Sequence, residues 1–184
     1  MEKTDSGMKR SVVIAFTGPE SSGKSTLSKK IAEDFDAFYS PEYAREYLEE
    51  RNGEYSYEDL EVIAKEQSKR WFSGILQAAP LMILDTELTT IKIWSEVRFG
   101  KTSEWLEEHY LNQNIDLYVL CKPDLKWQDD PLRESPSIEE REDLFRLYKN
   151  ELEELNRPYA IVSGEGDQRL EMTRKIIREF LSTK

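Results

Sequence analysis

The chain has 184 residues, of which 38% are hydrophobic and 34% are charged, enough apolar material for one core beneath a very polar surface. Its formal net charge of −11 repels phosphate backbones and anionic lipids, which excludes general binding to nucleic acid or to membrane surfaces. The single cysteine and single histidine exclude an internal disulfide and a Cys/His metal cluster. Residues 1–10 lack the apolar run of a signal peptide. We therefore expect a cytoplasmic protein whose partner is a small molecule.

Short apolar runs alternate with amphipathic segments along the whole chain. The predicted strands, all of a type buried on both faces, are residues 11–17, 37–40, 81–84, 115–121 and 159–163. One helix is predicted directly after the loop that follows the first strand. The other predicted helices cover residues 56 onward, 86–99, 103–112, 137–155 and 167 onward. This alternation predicts an α/β fold, with a five-stranded parallel sheet between two helical layers in one domain spanning residues 1–184.

Capping signals predict several helix ends. Ser56 with Asp59, and Ser137 with Glu140, have the spacing of capping boxes at helix N-termini. Asp167 is the predicted N-cap of the last helix. Gly100 predicts the end of the helix over residues 86–99, since glycine favours the left-handed conformation that terminates helices.

Residues 18–25, GPESSGKS, match the phosphate-loop pattern GxxxxGK[ST] at every fixed position, between a buried strand and a helix. Glycines let the backbone approach phosphate, and amides at the helix N-terminus point toward it. Lys24 is expected to contact the β- and γ-phosphates, and Ser25 to ligate Mg²⁺. The predicted nucleotide-binding residues here are Gly18, Ser21, Ser22, Gly23, Lys24, Ser25 and Thr26. The motif predicts a P-loop NTPase three-layer sandwich that binds ATP and Mg²⁺, with GTP as the alternative donor.

A second phosphate-site signal follows the predicted strand at residues 81–84. LMIL leads directly into Asp85, the Walker B pattern of an apolar strand ending in a carboxylate. Asp85 is expected to orient Mg²⁺, directly or through water. The alternative is that Asp85 caps the helix predicted to begin at Thr86.

Among P-loop classes, the sequence favours a small kinase. A GTPase switch needs DxxG, but residues 85–88 read DTEL, and a motor ATPase needs a second helical domain. Kinases need a lid that shields the transferring phosphate from water, and residues 122–141 supply a proline-rich, charged loop with Arg133. Arg133 is the candidate to stabilise the transferring group, with a solvated salt bridge as the alternative role. Gly164, after the last strand, is expected to approach adenine.

The acceptor side is expected just beyond the second strand, at residues 41–46, PEYARE. A carboxylate there can accept the proton of an attacking hydroxyl. Glu42 is the candidate general base and Asp85 the alternative. Tyr43 and Arg45 are candidates to contact substrate, although Arg45 can instead pair with a neighbouring acid.

Several runs together resemble one family, the ribosylnicotinamide kinase domain of the bacterial NAD-biosynthesis regulator NadR and its stand-alone relatives. They are GPESSGKSTL at 18–27, PEYAREY at 41–47, DTELTTIKIWSEVRFG at 85–100 and KPDLKWQDDPLRE at 122–134. The resemblance covers residues 12–163. It implies an ATP- and Mg²⁺-dependent kinase that phosphorylates nicotinamide riboside to nicotinamide mononucleotide in NAD salvage. It also implies that Asp85 and Glu87 face the reacting centre and that Arg133 belongs to the lid.

Two departures from that family bear on function. Members often carry tryptophan where this chain has Pro41, so the contact to the base is expected elsewhere, at Tyr43 or Trp127. The regulator's adenylyltransferase domain uses a paired-histidine motif, which a chain with only His109 lacks. Two alternatives stay open: a kinase for another nucleoside or nucleotide, and a non-catalytic ATP-binding regulatory module.

Overall fold

A computed structural model describes residues 10–184, which form a five-stranded sheet between helical layers. The strands are β1 (Val12–Thr17), β2 (Phe38–Ser40), β3 (Leu81–Asp85), β4 (Leu117–Cys121) and β5 (Tyr159–Val162). Their order across the sheet is β2-β3-β1-β4-β5, and every pairing is parallel. The predicted P-loop NTPase α/β architecture is therefore confirmed.

Seven helices connect and cover these strands in the described part of the chain. They are α1 (Lys24–Asp34), α2 (Tyr43–Glu49), α3 (Tyr57–Leu76), α4 (Leu88–Phe99), α5 (Glu104–Asn112), α6 (Ile138–Glu154) and α7 (Gly166–Leu181). Helices α1 and α7 cover one face of the sheet through Leu27, Ile31 and Ile177. Helices α4 and α6 cover the other face through Ile93, Tyr148 and Leu152. Within residues 10–184, no helix is both long and apolar enough to span a membrane.

The central strands are apolar along their whole length because both of their faces are covered. Ile14 and Phe16 of β1 belong to the core beside α1, whereas Val13 and Ala15 belong to the core beside α4 and α6. Successive side chains of a strand point to opposite faces, so a strand between two helical layers needs apolar residues at every position.

The observed helix ends agree with some of the capping predictions and not with others. The Ser56–Asp59 capping box is present, and Gly100 ends α4 with φ 67°. Ser137 caps α6 by accepting the Glu140 amide, but its hydroxyl donates to Glu139, so the second capping box is wrong. The Asp167 cap is also wrong, because α7 begins at Gly166 and Glu165 occupies the N-cap position.

Two functional segments have boundaries that the structure settles: the helix predicted from residue 86 begins later, and the predicted lid at 122–141 overlapped the predicted helix at 137–155. Asp85 is the last residue of β3, and α4 begins only at Leu88, after a turn at Thr86 and Glu87. The segment predicted as a lid has no regular structure from residue 122 to residue 137, but residues 138–141 form the first turn of α6. Arg141 is consequently a buried helical residue, 3% exposed.

The sheet brings the predicted site segments to one edge. In a parallel sheet all carboxyl ends lie on the same side, where ligands bind in open α/β folds. The phosphate loop follows β1, Glu42 follows β2, Asp85 ends β3, the lid follows β4 and Gly164 follows β5.

Candidate active site

Two glycines let the phosphate loop fold tightly between β1 and α1. Gly18 has φ 126°, and a Cβ there would lie 2.6 Å from the Cys121 carbonyl oxygen. Gly23 has φ 77°, and a Cβ there would lie 2.8 Å from Leu125 in the lid segment. Larger residues would therefore clash as well as strain the backbone at both positions.

The loop's polar side chains are held by its own backbone. Ser22 donates to the Pro19 carbonyl at 2.6 Å, and Lys24 Nζ donates to the same oxygen at 2.8 Å. Lys24 is the first residue of α1, so its ammonium and the free amides of the helix start lie together. This is the local concentration of positive charge that an acidic chain needs to bind a polyphosphate.

Arg169 on α7 fixes the loop against the neighbouring strand ends. Its guanidinium donates to the carbonyls of Ser22 at 2.8 Å and Lys122 at 2.9 Å, and pairs with Asp124 at 2.6 Å. The Arg169 side chain is 4% exposed, so its guanidinium is shielded from water, whereas Asp124 lies at the surface. No local sequence motif marks Arg169, because its partners lie far away in the chain.

Asp85 lies beneath the phosphate loop and is 2% exposed. Burial and the nearby negative charge of Glu42 raise the pKa of Asp85 to about 6, while Ser25, Lys24 and Tyr39 oppose the rise. Its Oδ2 accepts from the Tyr39 hydroxyl at 3.4 Å, and its Oδ1 is buried with no hydrogen-bond partner. A buried carboxylate oxygen left unpaired beside a serine hydroxyl suits a hard cation such as Mg²⁺.

Glu42 lines the cavity at the N-terminus of α2. The Thr86 hydroxyl donates to its Oε1 at 3.3 Å. Thr86 has φ 74°, a left-handed conformation that is costly for a β-branched residue, and such strain occurs most often at functional sites. The turn after β3 thus positions the carboxylate that the sequence analysis selected as general base.

A cavity of about 780 Å³ joins the phosphate loop, α2, α4 and the lid. The predicted site residues that line it are Gly18, Ser21, Ser22, Gly23, Lys24, Ser25, Thr26, Glu42, Arg45 and Arg133. The others lie outside its lining, namely Tyr43, Asp85, Glu87, Trp127 and Gly164. Asp85 is still adjacent, since its charge interacts with those of Lys24 and Glu42.

Glu87 caps the N-terminus of α4 and does not face the reacting centre. Glu87 is 0% exposed and accepts hydrogen bonds from Thr17 at 2.9 Å, the Thr89 amide at 2.6 Å and Gln113 at 2.9 Å. These contacts cap α4 and join it to β1 and to the end of α5. All of them face inward, so the expectation from the family resemblance does not fit its geometry.

Three further residues that were predicted to contact a ligand make contacts within the protein and do not line the cavity. Tyr43 packs edge to face on Tyr47, with Arg70 4.4 Å above its ring. Trp127 donates to Asp129 at 2.9 Å, and its ring centroid lies 5.7 Å from the guanidinium of Arg133 and 5.4 Å from that of Arg141. The Gly164 amide donates to the Asp124 carboxylate at 2.8 Å and so helps to hold the Arg169 network.

Charged contacts close the lid segment onto the rest of the site. Arg45 on α2 pairs with Asp130 at 2.6 Å. Arg133 donates to the Gln128 carbonyl at 2.6 Å and to the Ser21 hydroxyl at 3.5 Å, which brings its guanidinium to the phosphate loop. The lid segment therefore contacts both α2 and the phosphate loop.

An aromatic and cationic wall lines the cavity and is formed by Tyr55, Trp94 and Arg98, none of which was among the predicted site residues. A polar signal was present in the spacing: Thr90, Trp94 and Arg98 follow one another at four-residue intervals on one face of α4. Only the structure shows that this face borders the cavity.

Comparison with known proteins agrees with this geometry. Over 173 residues, 91% of the chain, it is 27% identical to the trifunctional NAD biosynthesis/regulator protein NadR of Escherichia coli (strain K12). A crystal structure of NadR protein in complex with NR aligns over 96% of the chain, with a TM-score of 0.81 at 23% identity. A thymidylate kinase from Ehrlichia chaffeensis aligns over 91% of this chain and 99% of its own, with a TM-score of 0.66 at 14% identity.

These alignments cover nearly all of this chain but only part of the NadR proteins. The chain covers 42% of the length of the Escherichia coli NadR protein and 53% of the NadR crystal chain. The resemblance to NadR found in the sequence is thereby confirmed for the P-loop domain. The model of the AAA_28 family, described as an AAA domain, matches residues 13–169, and the chain belongs to this family.

Proposed function

We propose that the protein is an ATP- and Mg²⁺-dependent kinase that phosphorylates the 5′-hydroxyl of nicotinamide riboside to give nicotinamide mononucleotide. The observation that carries the proposal is the single cavity that contains both the phosphate loop and the Glu42 carboxylate. A donor site and a candidate base facing one space suit transfer from a nucleotide to a second small molecule. The similarity to NadR, which has been crystallised with NR, supports the choice of acceptor.

At the donor end, the phosphate loop binds the ATP phosphates through its backbone amides and through Lys24. Lys24 Nζ now donates to the Pro19 carbonyl at 2.8 Å, and it exchanges this acceptor for a phosphate oxygen when ATP binds. The exchange replaces a neutral acceptor by a charged one, which strengthens the hydrogen bond.

Ser25 and Asp85 are the residues that would hold Mg²⁺. The unpaired, buried Oδ1 of Asp85 and the hydroxyl of Ser25 are hard oxygen donors, which fit this cation. When bound, Mg²⁺ neutralises the charge of the phosphate oxygens.

At the acceptor end, Glu42 accepts the proton of the attacking hydroxyl. Glu42 is better placed than Asp85 for this role, since Glu42 lines the cavity while Asp85 is buried below the loop. The hydrogen bond from Thr86 fixes one carboxylate oxygen and leaves the other for the substrate. Arg133, which reaches Ser21 of the phosphate loop, stabilises charge on the transferring group.

The test is release of ADP from Mg·ATP with nicotinamide riboside, beside a panel of other nucleosides and nucleotides. The proposal predicts release with nicotinamide riboside well above that with any other acceptor. ADP release with a different acceptor would support the kinase activity but show that nicotinamide riboside is not the substrate. Bound ATP with no stimulated release would contradict both and favour a regulatory nucleotide-binding module.

A kinase for another acceptor is the second candidate, and the exposed Pro41 favours it. Family members often have an aromatic residue where this chain has Pro41, whose carbonyl accepts from Gln67 at 3.2 Å. An acceptor base must therefore be recognised by other residues, and a changed contact can select a different base. The same acceptor panel separates the two candidates.

A further inference from the structure

The aromatic wall of the cavity has its polar atoms already satisfied. The Tyr55 and Trp94 rings pack edge to face, with centroids 4.8 Å apart and planes at 60°. Trp94 Nε1 donates to the Tyr55 hydroxyl at 2.9 Å, and that hydroxyl donates to the Glu134 carboxylate at 2.9 Å. Because both polar groups are engaged with each other and with the lid, what the pair offers a ligand is aromatic surface.

Arg98 lies one helical turn beyond Trp94 and lines the same cavity. Its positive charge reaches Tyr55: burial raises the pKa of that phenol to about 12, and Arg98 acts against the rise. Among residues 10–184, Arg98 has no ion-pair and no hydrogen-bond partner, although the chain carries a net charge of −11. An unpaired guanidinium beside an aromatic wall offers a planar set of donors to a ligand.

The neighbouring residue supports a binding role for this part of α4. Val97 is 59% exposed and also lines the cavity. This wall thus combines an apolar side chain and two aromatic rings with a free guanidinium. Its face is apolar and its edge is cationic. Such a combination is typical of sites for flat polar ligands.

We infer that Tyr55, Trp94 and Arg98 form the subsite for the acceptor's base, and that they select a cationic pyridinium ring carrying an oxygen substituent. This inference rests on the proposed function in taking the acceptor to be a nucleoside. It goes further in predicting that a ring carboxylate binds more tightly than a ring carboxamide.

The charges of the wall match such a base in both of its parts. Aromatic faces attract cations, and the Glu134 carboxylate adds negative charge beside Tyr55 and Trp94. Arg98 donates to the oxygen substituent at the edge of the ring. A carboxylate accepts two parallel hydrogen bonds from a guanidinium and carries a full charge, whereas a carboxamide offers one neutral oxygen.

The experiment is calorimetric titration of three ribosides against the wild-type protein, Arg98→Gln and Trp94→Leu. The ribosides carry a pyridinium ring with a carboxamide, with a carboxylate, or with no substituent. Arg146→Gln is the matched control, because Arg146 is an exposed arginine on α6 that pairs with Asp143 and lies outside the cavity lining. Titration with ATP reports whether each variant keeps its donor site.

The wild type is expected to bind the carboxylate riboside most tightly and the unsubstituted riboside least tightly. Arg98→Gln should weaken binding of the carboxylate form by about tenfold to a hundredfold and leave the unsubstituted form unchanged. Trp94→Leu should weaken all three by roughly three- to tenfold. ATP binding, and every affinity of Arg146→Gln, should equal those of the wild type.

Equal binding of the three ribosides to the wild type, or unchanged affinities in both cavity variants, would overturn the inference, as would no riboside binding at all. ADP release, measured separately, tests the proposed function. If the ribosides bind in the predicted order but no ADP is released, the kinase proposal is wrong and the subsite is supported. If ADP is released but the riboside affinity does not change in Arg98→Gln, the subsite is wrong and the kinase proposal is supported.

Discussion

The Thr86 hydroxyl donates to the Glu42 carboxylate at 3.3 Å, and this bond joins the end of β3 to the start of α2. Thr86 adopts φ 74° to do so, directly after Asp85, the residue expected to hold Mg²⁺. The carboxylate proposed to hold Mg²⁺ and the candidate base are therefore both positioned by this one turn. Their relative position is fixed by backbone geometry as well as by side-chain packing.

Glu42→Gln tests the base. The change keeps the size and the acceptor oxygen for Thr86 but removes the ability to take a proton. If Glu42 is the base, turnover should fall by roughly 10²- to 10⁴-fold while ATP still binds. Steady-state kinetics with parallel ATP titration measure both quantities. A variant that keeps most of its turnover would transfer the role to Asp85.

Lys24→Ala tests the phosphate loop. Among the residues that the structure describes, Lys24 makes one hydrogen bond, to the Pro19 carbonyl, so its loss should change the melting temperature little. Turnover should fall by several orders of magnitude, because this ammonium neutralises the phosphates. Lys29→Ala is the control, an exposed lysine on the same helix outside the cavity. Near-normal turnover of Lys24→Ala would refute the assignment of the loop.

Glu20→Ala tests how the lid is attached. The Glu20 carboxylate accepts the Glu134 amide at 3.0 Å and also accepts the Ser135 amide. Without this acceptor both amides lose protection, so their hydrogen exchange should accelerate while exchange in the sheet stays constant. Glu33→Ala, an exposed acid elsewhere on the surface, is the control. Unchanged exchange at residues 134–135 would show that other contacts hold the lid.

Asp59→Asn tests the capping box that opens α3. Hydrogen bonds from Tyr47 and from the Ser56 amide lower the pKa of Asp59. A carboxyl with a lowered pKa stabilises the fold above its unfolded value of 3.8, and this contribution is lost as pH falls through the folded value. The variant should lose about 1 kcal/mol at neutral pH.

The pH dependence of that loss identifies its cause. The difference in free energy of unfolding between Asp59→Asn and the wild type should shrink at acidic pH, where the wild-type carboxyl is protonated. Glu58→Gln in the same helical turn, exposed and outside the capping box, should show a smaller effect at neutral pH. A loss that stays constant from neutral to acidic pH would assign the effect to packing.

The fold could be predicted from the sequence because its strands are buried on both faces and its helices carry local end signals. Val12–Thr17 and Leu117–Cys121 are apolar at nearly every position, which only a covered parallel strand requires. The phosphate loop was predictable for a similar reason, since its glycines, lysine and serine are adjacent in the chain. The predicted start of α6 at Ser137 was correct, although the Glu140 half of the capping box is absent. The start of α7 was predicted too late, because Gly166 already belongs to the helix and Glu165 occupies the N-cap position.

The aromatic wall of the cavity could not be predicted, because it is assembled from segments that are distant in sequence. Tyr55, Trp94 and Glu134 form one hydrogen-bonded chain across 79 residues. Glu87 shows the opposite error: it follows Asp85 closely in sequence, yet the left-handed turn at Thr86 directs it into the interior. The family resemblance therefore implied a position for Glu87 that the fold does not give it.

The most direct test of a riboside kinase is transfer of the γ-phosphoryl group itself. Mg·ATP is incubated with nicotinamide riboside, and both ADP and the phosphorylated riboside are quantified by mass spectrometry, with Lys24→Ala as the blank. We expect one phosphorylated riboside for each ADP released, and no product with the variant. ADP formed without phosphorylated riboside, or no turnover with bound ATP, would contradict the proposal of a riboside kinase.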